Sequence, residues 1–182
     1  VSAGSSNAVD YVSRQIGRTR DCMAMKEKRY RCVNKNPLRV IRTREIFNID
    51  MVYNRYPNEL FPFDYDTYFQ SELACELVVT HCLTGQAEST DERKDKKRLM
   101  DINAASSSGP VLSHMIQVDG MPCLDGGIAD PVPLIHSMKK GYRKNVVVLT
   151  RQKGYRKKES RQVNALYKTM YRKYPELVRT LC

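Results

Sequence analysis

The amino end of the chain carries a serine in a setting typical of a nucleophile. Residues 1–6 read V-S-A-G-S-S and lead into a predicted helix over residues 3–15. A serine on a sharp turn into a helix exposes its hydroxyl, and small neighbours allow close packing there. Free N–H groups and the positive end of the helix dipole stabilise an oxyanion. We therefore predict Ser2 as a nucleophile, Ala3 as an oxyanion donor and Gly4 as part of the same elbow.

A carboxylate follows a short apolar strand near the middle of the chain. Residues 124–133 read L-D-G-G-I-A-D-P-V-P, after a predicted strand over residues 121–124. In isolation D-G-G is typical of a turn, because glycine tolerates positive φ. Ligands, however, bind at the carboxyl edge of open α/β sheets, where such an aspartate would lie. We predict Asp125 as a catalytic base, with Gly126 and Gly127 shaping the site.

The elements that must position these residues are short strands alternating with helices. Buried strands are predicted over residues 75–82 and 146–150, the second being the most apolar run in the chain. Helices are predicted over residues 3–15, 21–33, 46–55, 91–100, 133–140 and 159–173. This alternation is typical of an α/β fold, and we expect three α/β/α layers around a largely parallel sheet.

Length and charge restrict the class of protein. The 182 residues suit a single domain over 1–182, and no apolar run approaches the length of a membrane-spanning helix. The net charge is +11, and the only acid between Lys139 and Lys173 is Glu159. We therefore expect a basic, helical C-terminal region over residues 156–182. A solvated face is the simplest interpretation of this charge, and attraction to anionic lipid surfaces is the functional one.

The six cysteines form no C-x-x-C pair, so reduced thiols are expected rather than disulfides, and no metal site is predicted. Cys75 and Cys123 lie in apolar contexts typical of a core.

Further stretches agree with the serine and aspartate segments in their order along the chain. These are residues 62–64 (P-F-D), 104–110 (A-A-S-S-S-G-P), 118–127 (V-D-G-M-P-C-L-D-G-G), 130–134 (D-P-V-P-L) and 146–150. Together they resemble the patatin-like phospholipase family, and its bacterial branch in particular. That family pairs a serine in a G-x-S-x-G elbow with an aspartate in a D-G-[GA] motif. The resemblance extends from Ser2 to about Tyr155.

The resemblance implies a serine hydrolase of lipid acyl esters, of the phospholipase or lysophospholipase A type, with no metal or organic cofactor. Ser2 would attack the ester carbonyl, and Asp125 would take its proton directly. The acyl-serine that forms would then be resolved by water. We expect a cytoplasmic protein that meets lipid ester substrates, with peripheral contact to anionic membranes.

The sequence also departs from the family. The family's first strand and its glycine-rich oxyanion loop precede the serine, whereas this sequence begins one residue before Ser2. We therefore expect an N-terminally truncated, partial patatin-like domain that is weakly active or inactive. Loss of one oxyanion donor alone lowers kcat on the order of a hundredfold.

Alternatives stay open for several features. The rival function is a non-catalytic basic module that binds anionic lipid surfaces or nucleic acid. Nucleic acid is the less favoured ligand, because no zinc-finger, RRM-like or OB-like signature is present. Of the three histidines, His114 lies nearest the two segments in sequence and is the outside candidate for the site. The aromatic residues between 61 and 69 are expected in the core, or alternatively as one wall of an acyl-chain pocket.

Overall fold

A computed structural model describes residues 1–34, 38, 40, 46–152, 154–156 and 160–182. The α-helices among them are α1 (Ala3–Val12), α2 (Arg18–Met23), α3 (Tyr65–Gln70), α4 (Lys96–Ser106), α5 (Leu134–Lys139), α6 (Arg161–Met170) and α7 (Pro175–Leu181). A π-helix spans Met51–Leu60, and short 3-10 helices span Lys28–Tyr30 and Gly126–Ile128. The strands are β1 (Leu77–His81), β2 (Ala87–Thr90), β3 (Ile116–Val118) and β4 (Met121–Asp125).

The sheet is small and antiparallel, so the predicted three-layer α/β/α fold with a largely parallel sheet is wrong. Its four strands lie in the order β2-β1-β4-β3, and every neighbouring pair runs antiparallel. A five-residue loop over residues 82–86 joins β1 to β2, and a two-residue turn joins β3 to β4. At the second turn Asp119 and Gly120 both have positive φ, 51° and 77°, as a two-residue hairpin with right-handed twist requires. Parallel neighbours need a long crossover connection, whereas a short turn can join antiparallel neighbours. The alternation of strands and helices was therefore not evidence of parallel pairing.

The predicted buried strand over residues 146–150 is also wrong. The backbone there belongs to no strand, and the exposed fractions of the Val146 and Val148 side chains are 95% and 88%. By contrast, Val78 and Val79 of β1 are each 2% exposed. An apolar run becomes a buried strand only when other elements cover it, and the described part of the chain leaves this run uncovered.

Two apolar clusters form the core around the sheet. The first joins α1, the aromatic segment before and within α3, β1 and α4, and it includes Cys75 and Cys123 as the sequence predicted. The second contains Leu124 of β4 and three side chains of the C-terminal helices, Tyr167, Tyr171 and Leu177. Cys123 and Leu124 point to opposite faces because side chains alternate along a strand. The sheet therefore has apolar contacts on both faces.

The local predictions had mixed outcomes. The first helix, the β1 strand, the β4 strand and the helix that became α5 are confirmed. The helix predicted over residues 21–33 is wrong, since α2 ends at Met23, and the helix expected over 91–100 lies further along as α4. Side chains aid several helix starts: Asp95, for example, accepts the backbone N–H of Arg98 at 2.9 Å and caps α4.

Candidate active site

Ser2 lies at the N-cap of α1 in a strained backbone conformation. Its φ is 54° and its ψ is −137°, outside the regions that residues with a Cβ normally adopt. Such a conformation costs of order 1–3 kcal/mol and persists only where the surroundings hold it. This is the sharp turn into a helix that the sequence predicted for the nucleophile.

A set of small polar residues holds Ser2 in this conformation. The Ser2 N–H donates to the carbonyl of Ser106 at 2.8 Å. The Ser2 carbonyl accepts the hydroxyls of Ser5 and Ser107, at 2.6 and 3.1 Å. Both backbone polar groups of the strained residue are therefore satisfied, and its side chain is left free for other contacts.

Asp125 ends β4 and is fixed from both sides along the chain. Its N–H donates to the carbonyl of Ser108 at 2.9 Å, and its carbonyl accepts the Thr80 hydroxyl at 2.9 Å. The register pairs Asp125 with Val79 of β1. We predicted Asp125 at the edge of the sheet where the carboxyl ends of parallel strands meet. The sheet is antiparallel and has no such edge, so pairing with β1 fixes the position of the carboxylate instead.

The end of α4 brings the serine and the aspartate together. The carbonyl of Ser106 accepts the Ser2 N–H, and the carbonyl of Ser108, two residues later, accepts the Asp125 N–H. This stretch belongs to the small-residue segment at 104–110, and Ser106 and Ser108 are fully buried. Small side chains here allow two distant parts of the sequence to approach the same turn.

The Ser2 side chain lies beside the Asp125 carboxylate, and both residues line the same cavity. Burial raises the pKa of Asp125 above its ordinary value, and hydrogen bonds from the Gly127 N–H and from Ser2 oppose that rise, as does the charge of the Val1 α-amino group. A raised pKa makes the carboxylate a better proton acceptor than an aspartate in water. Burial in turn lowers the pKa of the partly buried Val1 α-amino group, against the effect of Asp125.

The first turn of α1 supplies an oxyanion donor. Ala3 is the first helical residue, so its N–H has no intrahelical acceptor, and no other described residue accepts it. Gly4, the other predicted elbow residue, has a different status. A Cβ built on Gly4 would meet nothing within 4 Å, so close packing does not require a glycine there, contrary to our prediction.

The two glycines after Asp125 differ in what they do. A Cβ on Gly126 would lie 2.2 Å from the backbone carbonyl oxygen of Val78, so this position accepts glycine alone without a shift of β1. Gly127 donates its N–H to the Asp125 carboxylate at 2.8 Å and so helps to aim it. Both glycines therefore affect the geometry around the Asp125 carboxylate.

A mainly apolar cavity of about 330 Å³ opens beside Ser2 and Asp125. Its apolar lining comes from the first two helices, the π-helix region and α4: Val9, Met23, Phe47, Ile49, Val52, Met100 and Leu112. Arg18 also lines it, but this guanidinium is paired with Asp10 at 3.0 Å. Burial raises the pKa of Cys22 in the cavity wall to about 11, so that thiol is neutral near pH 7 and a poor nucleophile.

Sequence reasoning missed Tyr53 and Ser107. The Tyr53 hydroxyl lies 3.1 Å from the Ser6 hydroxyl. Burial raises the pKa of Tyr53, and the nearby Ser107 and Ser6 hydroxyls oppose that rise. Ser107 in turn hydrogen-bonds to the Ser2 carbonyl. Ser107 belongs to a segment singled out as A-A-S-S-S-G-P, whereas nothing in the sequence around Tyr53 distinguishes it from a core tyrosine.

Other predicted candidates lie away from this site. His114 is exposed and does not line the cavity. His81 and His136 hydrogen-bond to carboxylates of Glu88 and Glu76. The aromatic segment is core: Phe63, Tyr65 and Tyr68 pack in the first cluster, and none of them lines the cavity. The core interpretation is thus confirmed, and the acyl-pocket alternative for this segment is wrong.

All six cysteines are free thiols in the structure. Among the described residues, no group of three or more histidine, cysteine, aspartate or glutamate side chains is arranged to hold a metal ion. The described helices also include none with the length and apolar character needed to cross a membrane. Comparisons with protein families, with curated proteins and with solved structures found no match to this chain.

Proposed function

We propose that the chain is a serine acyl-hydrolase of the patatin-like type, which cleaves lipid acyl esters through Ser2 and Asp125. One observation carries the proposal: a serine with positive φ at a helix start lies beside a partly buried carboxylate at the mouth of an apolar cavity. No histidine takes part. The resemblance of the two motifs to that family agrees with this geometry.

The proposed reaction has two halves. In the first, the Ser2 oxygen attacks the ester carbonyl carbon while Asp125 accepts the hydroxyl proton, and the Ala3 N–H binds the oxyanion. The carbon–oxygen bond to the alcohol then breaks, and Asp125 returns the proton to that leaving group. In the second half, water attacks the acyl-serine, Asp125 takes a proton from the water, and the acid leaves as Ser2 regains its proton.

The cavity favours an uncharged acyl chain. Its lining is mainly apolar, and its one guanidinium is neutralised by Asp10. Transfer of each methylene from water to such a lining contributes roughly 0.8 kcal/mol. With one elbow N–H as oxyanion donor, we expect slow turnover, since each such donor is worth about a hundredfold or more in kcat.

The test is hydrolysis of p-nitrophenyl butyrate and octanoate by the purified chain. Ser2→Ala is expected to lower the rate to background. Asp125→Asn keeps the shape but not the base, and it is expected to lower kcat about a hundredfold or more. Ser6→Ala is the matched control, because Ser6 lines the same cavity beside Tyr53 without contacting Asp125. Equal activity in all three variants would refute the proposal.

A second candidate function is peripheral binding to anionic membranes, and α6 favours it. This helix carries exposed cations at Arg161 and Lys168. Its apolar residues Val163, Leu166 and Met170 are exposed, at 39%, 43% and 40% respectively. Helices with basic and exposed apolar residues lie in membrane interfaces.

Cosedimentation with phosphatidylcholine vesicles, with and without phosphatidylglycerol, tests this second function. Binding is expected only with phosphatidylglycerol and to weaken as salt rises. Leu166→Glu should abolish binding, whereas Gln162→Glu, with the same charge change on the same helix, should weaken it only in part. Equal binding by the two variants would contradict an apolar contact through α6.

A further inference from the structure

The 146–149 segment, with sequence V-V-V-L, is an apolar run that belongs to no helix or strand and lacks any cover in the described structure. Val147 and Leu149 are 44% and 62% exposed, and Val146 and Val148 are more exposed still. Valine is the residue that strands favour, because its branched side chain packs on a pleated surface. Contiguous exposed apolar residues of this kind mark an interaction surface.

The backbone of the 146–149 segment is unpaired. No hydrogen bond links its N–H or carbonyl groups to any residue that the structure describes. Beside it lies a groove of about 620 Å³, lined by Leu134, Met138, Tyr142, Arg143, Asn145 and Val147. Ile135 and Met138 of α5 are also exposed, at 69% and 59%. The segment therefore presents both free backbone groups and an adjoining apolar surface.

The chemistry of the segment identifies its occupant. A lipid bilayer cannot satisfy the free backbone groups, and unpaired extended backbone does not enter hydrocarbon. A second copy would oppose like charges, since Lys144 and Arg151 flank the segment and residues 131–158 contain no acid. An added strand satisfies the backbone, and acidic flanks on that strand complement the basic ones.

We propose that the 146–149 segment pairs with an extended apolar strand of a partner protein, and that acidic residues flank this strand. Pairing forms main-chain hydrogen bonds along the segment and covers its valines. This surface is separate from the cavity beside Ser2 and stands independently of the proposed hydrolase function.

The test uses the peptide acetyl-Glu-Glu-Val-Ile-Val-Thr-Val-Glu-Glu-amide, labelled for fluorescence anisotropy against the full chain at low salt. Adjacent residues of a strand direct their N–H groups to opposite edges of the strand. Val147→Pro therefore removes an N–H from one edge and Val148→Pro removes one from the other, so one of the two single variants disrupts pairing at whichever edge is used. At least one of them is expected to weaken binding about tenfold. Gln152→Pro, outside the segment, is the matched control and should leave affinity unchanged. Val147 and Val148 make no backbone hydrogen bond with any described residue, and proline at position 152 keeps the carbonyl that accepts the Tyr155 N–H. All three variants should therefore keep the circular dichroism of the parent chain.

Replacing the peptide's glutamates by lysines is expected to abolish binding, and rising salt should weaken it. The proposal is overturned if the glutamate peptide does not bind, if the lysine peptide binds equally well, or if neither proline variant reduces affinity. Sedimentation velocity and vesicle cosedimentation distinguish the other occupants. Self-association or vesicle binding that Val147→Pro abolishes, without peptide binding, would assign the surface to a second copy or to lipid instead.

Discussion

The strained conformation of Ser2 predicts an unusual order of stability at this position. With φ at 54°, any residue with a Cβ carries a strain of about 1–3 kcal/mol, which glycine does not. Glycine costs about 0.5–1 kcal/mol in extra backbone entropy relative to alanine. The difference makes Ser2→Gly about 1 kcal/mol more stable than Ser2→Ala. Both variants lose the hydrogen bond to Asp125, so that loss cancels in the comparison.

The matched control is Asn7, which is exposed inside α1 and not strained. There Asn7→Ala should be about 1 kcal/mol more stable than Asn7→Gly, because alanine is the better helix former. The assay is urea unfolding of all four variants near pH 7, followed by circular dichroism. If Ser2→Ala were as stable as Ser2→Gly or more so, the backbone strain that places the nucleophile would be refuted.

Four further predictions concern the site. Gly126→Ala should lose about 1–3 kcal/mol of unfolding free energy, because its Cβ would overlap a backbone carbonyl of β1. Gly4→Ala should instead gain up to about 1 kcal/mol, because alanine is the better helix former. Urea unfolding compares the two variants, and equal effects would contradict the packing around Gly126. The acid limb of kcat/KM should centre above the ordinary aspartate pKa of about 4, and an acid limb at or below pH 4 would contradict a buried base. Because the pKa of Asp125 is raised, the folded protein keeps this proton at pH values where the unfolded chain has released it. The contribution of Asp125 to the free energy of unfolding is therefore greatest at low pH and is lost as pH rises through the folded pKa. Asp125→Asn should therefore remove that part of the pH dependence of urea unfolding and be the more stable protein near pH 7, and an unchanged pH dependence would contradict it. Val52→Trp should raise KM for p-nitrophenyl octanoate more than KM for the acetate ester, because the larger side chain fills the cavity. The control Ile16→Trp, at an exposed position, should change neither KM. Equal effects of Val52→Trp on the two esters would place the acyl chain elsewhere.

Local patterns in the sequence could predict the backbone geometry around Ser2 and Asp125, because short-range chemistry determines that geometry. A serine before small residues predicted the elbow at α1, and D-G-G predicted a carboxylate on a turn. Gly126 has a steric reason to be glycine, which a single sequence can suggest but not measure. Residues 104–110 were noted only as a small-residue segment. Their role in binding both Ser2 and Asp125 depends on tertiary contacts that no local pattern encodes.

The fold prediction failed for a physical reason that the sequence did contain. Asp119-Gly120 between two short apolar stretches is a strong signal for a hairpin, and it indicates antiparallel pairing of β3 and β4. We interpreted that stretch through the motif around Asp125 and so missed its turn chemistry. The apolar run at 146–150 failed differently, because burial depends on what covers a strand and not on its own composition.

The most direct test of the Ser2–Asp125 pair is covalent labelling by a fluorophosphonate, followed by peptide mass spectrometry. We expect a single adduct on Ser2, absent in Ser2→Ala and formed much more slowly in Asp125→Asn, with Ser6→Ala labelled at the rate of the parent chain. An adduct on another serine, or a labelling rate unaffected by Asp125→Asn, would contradict it.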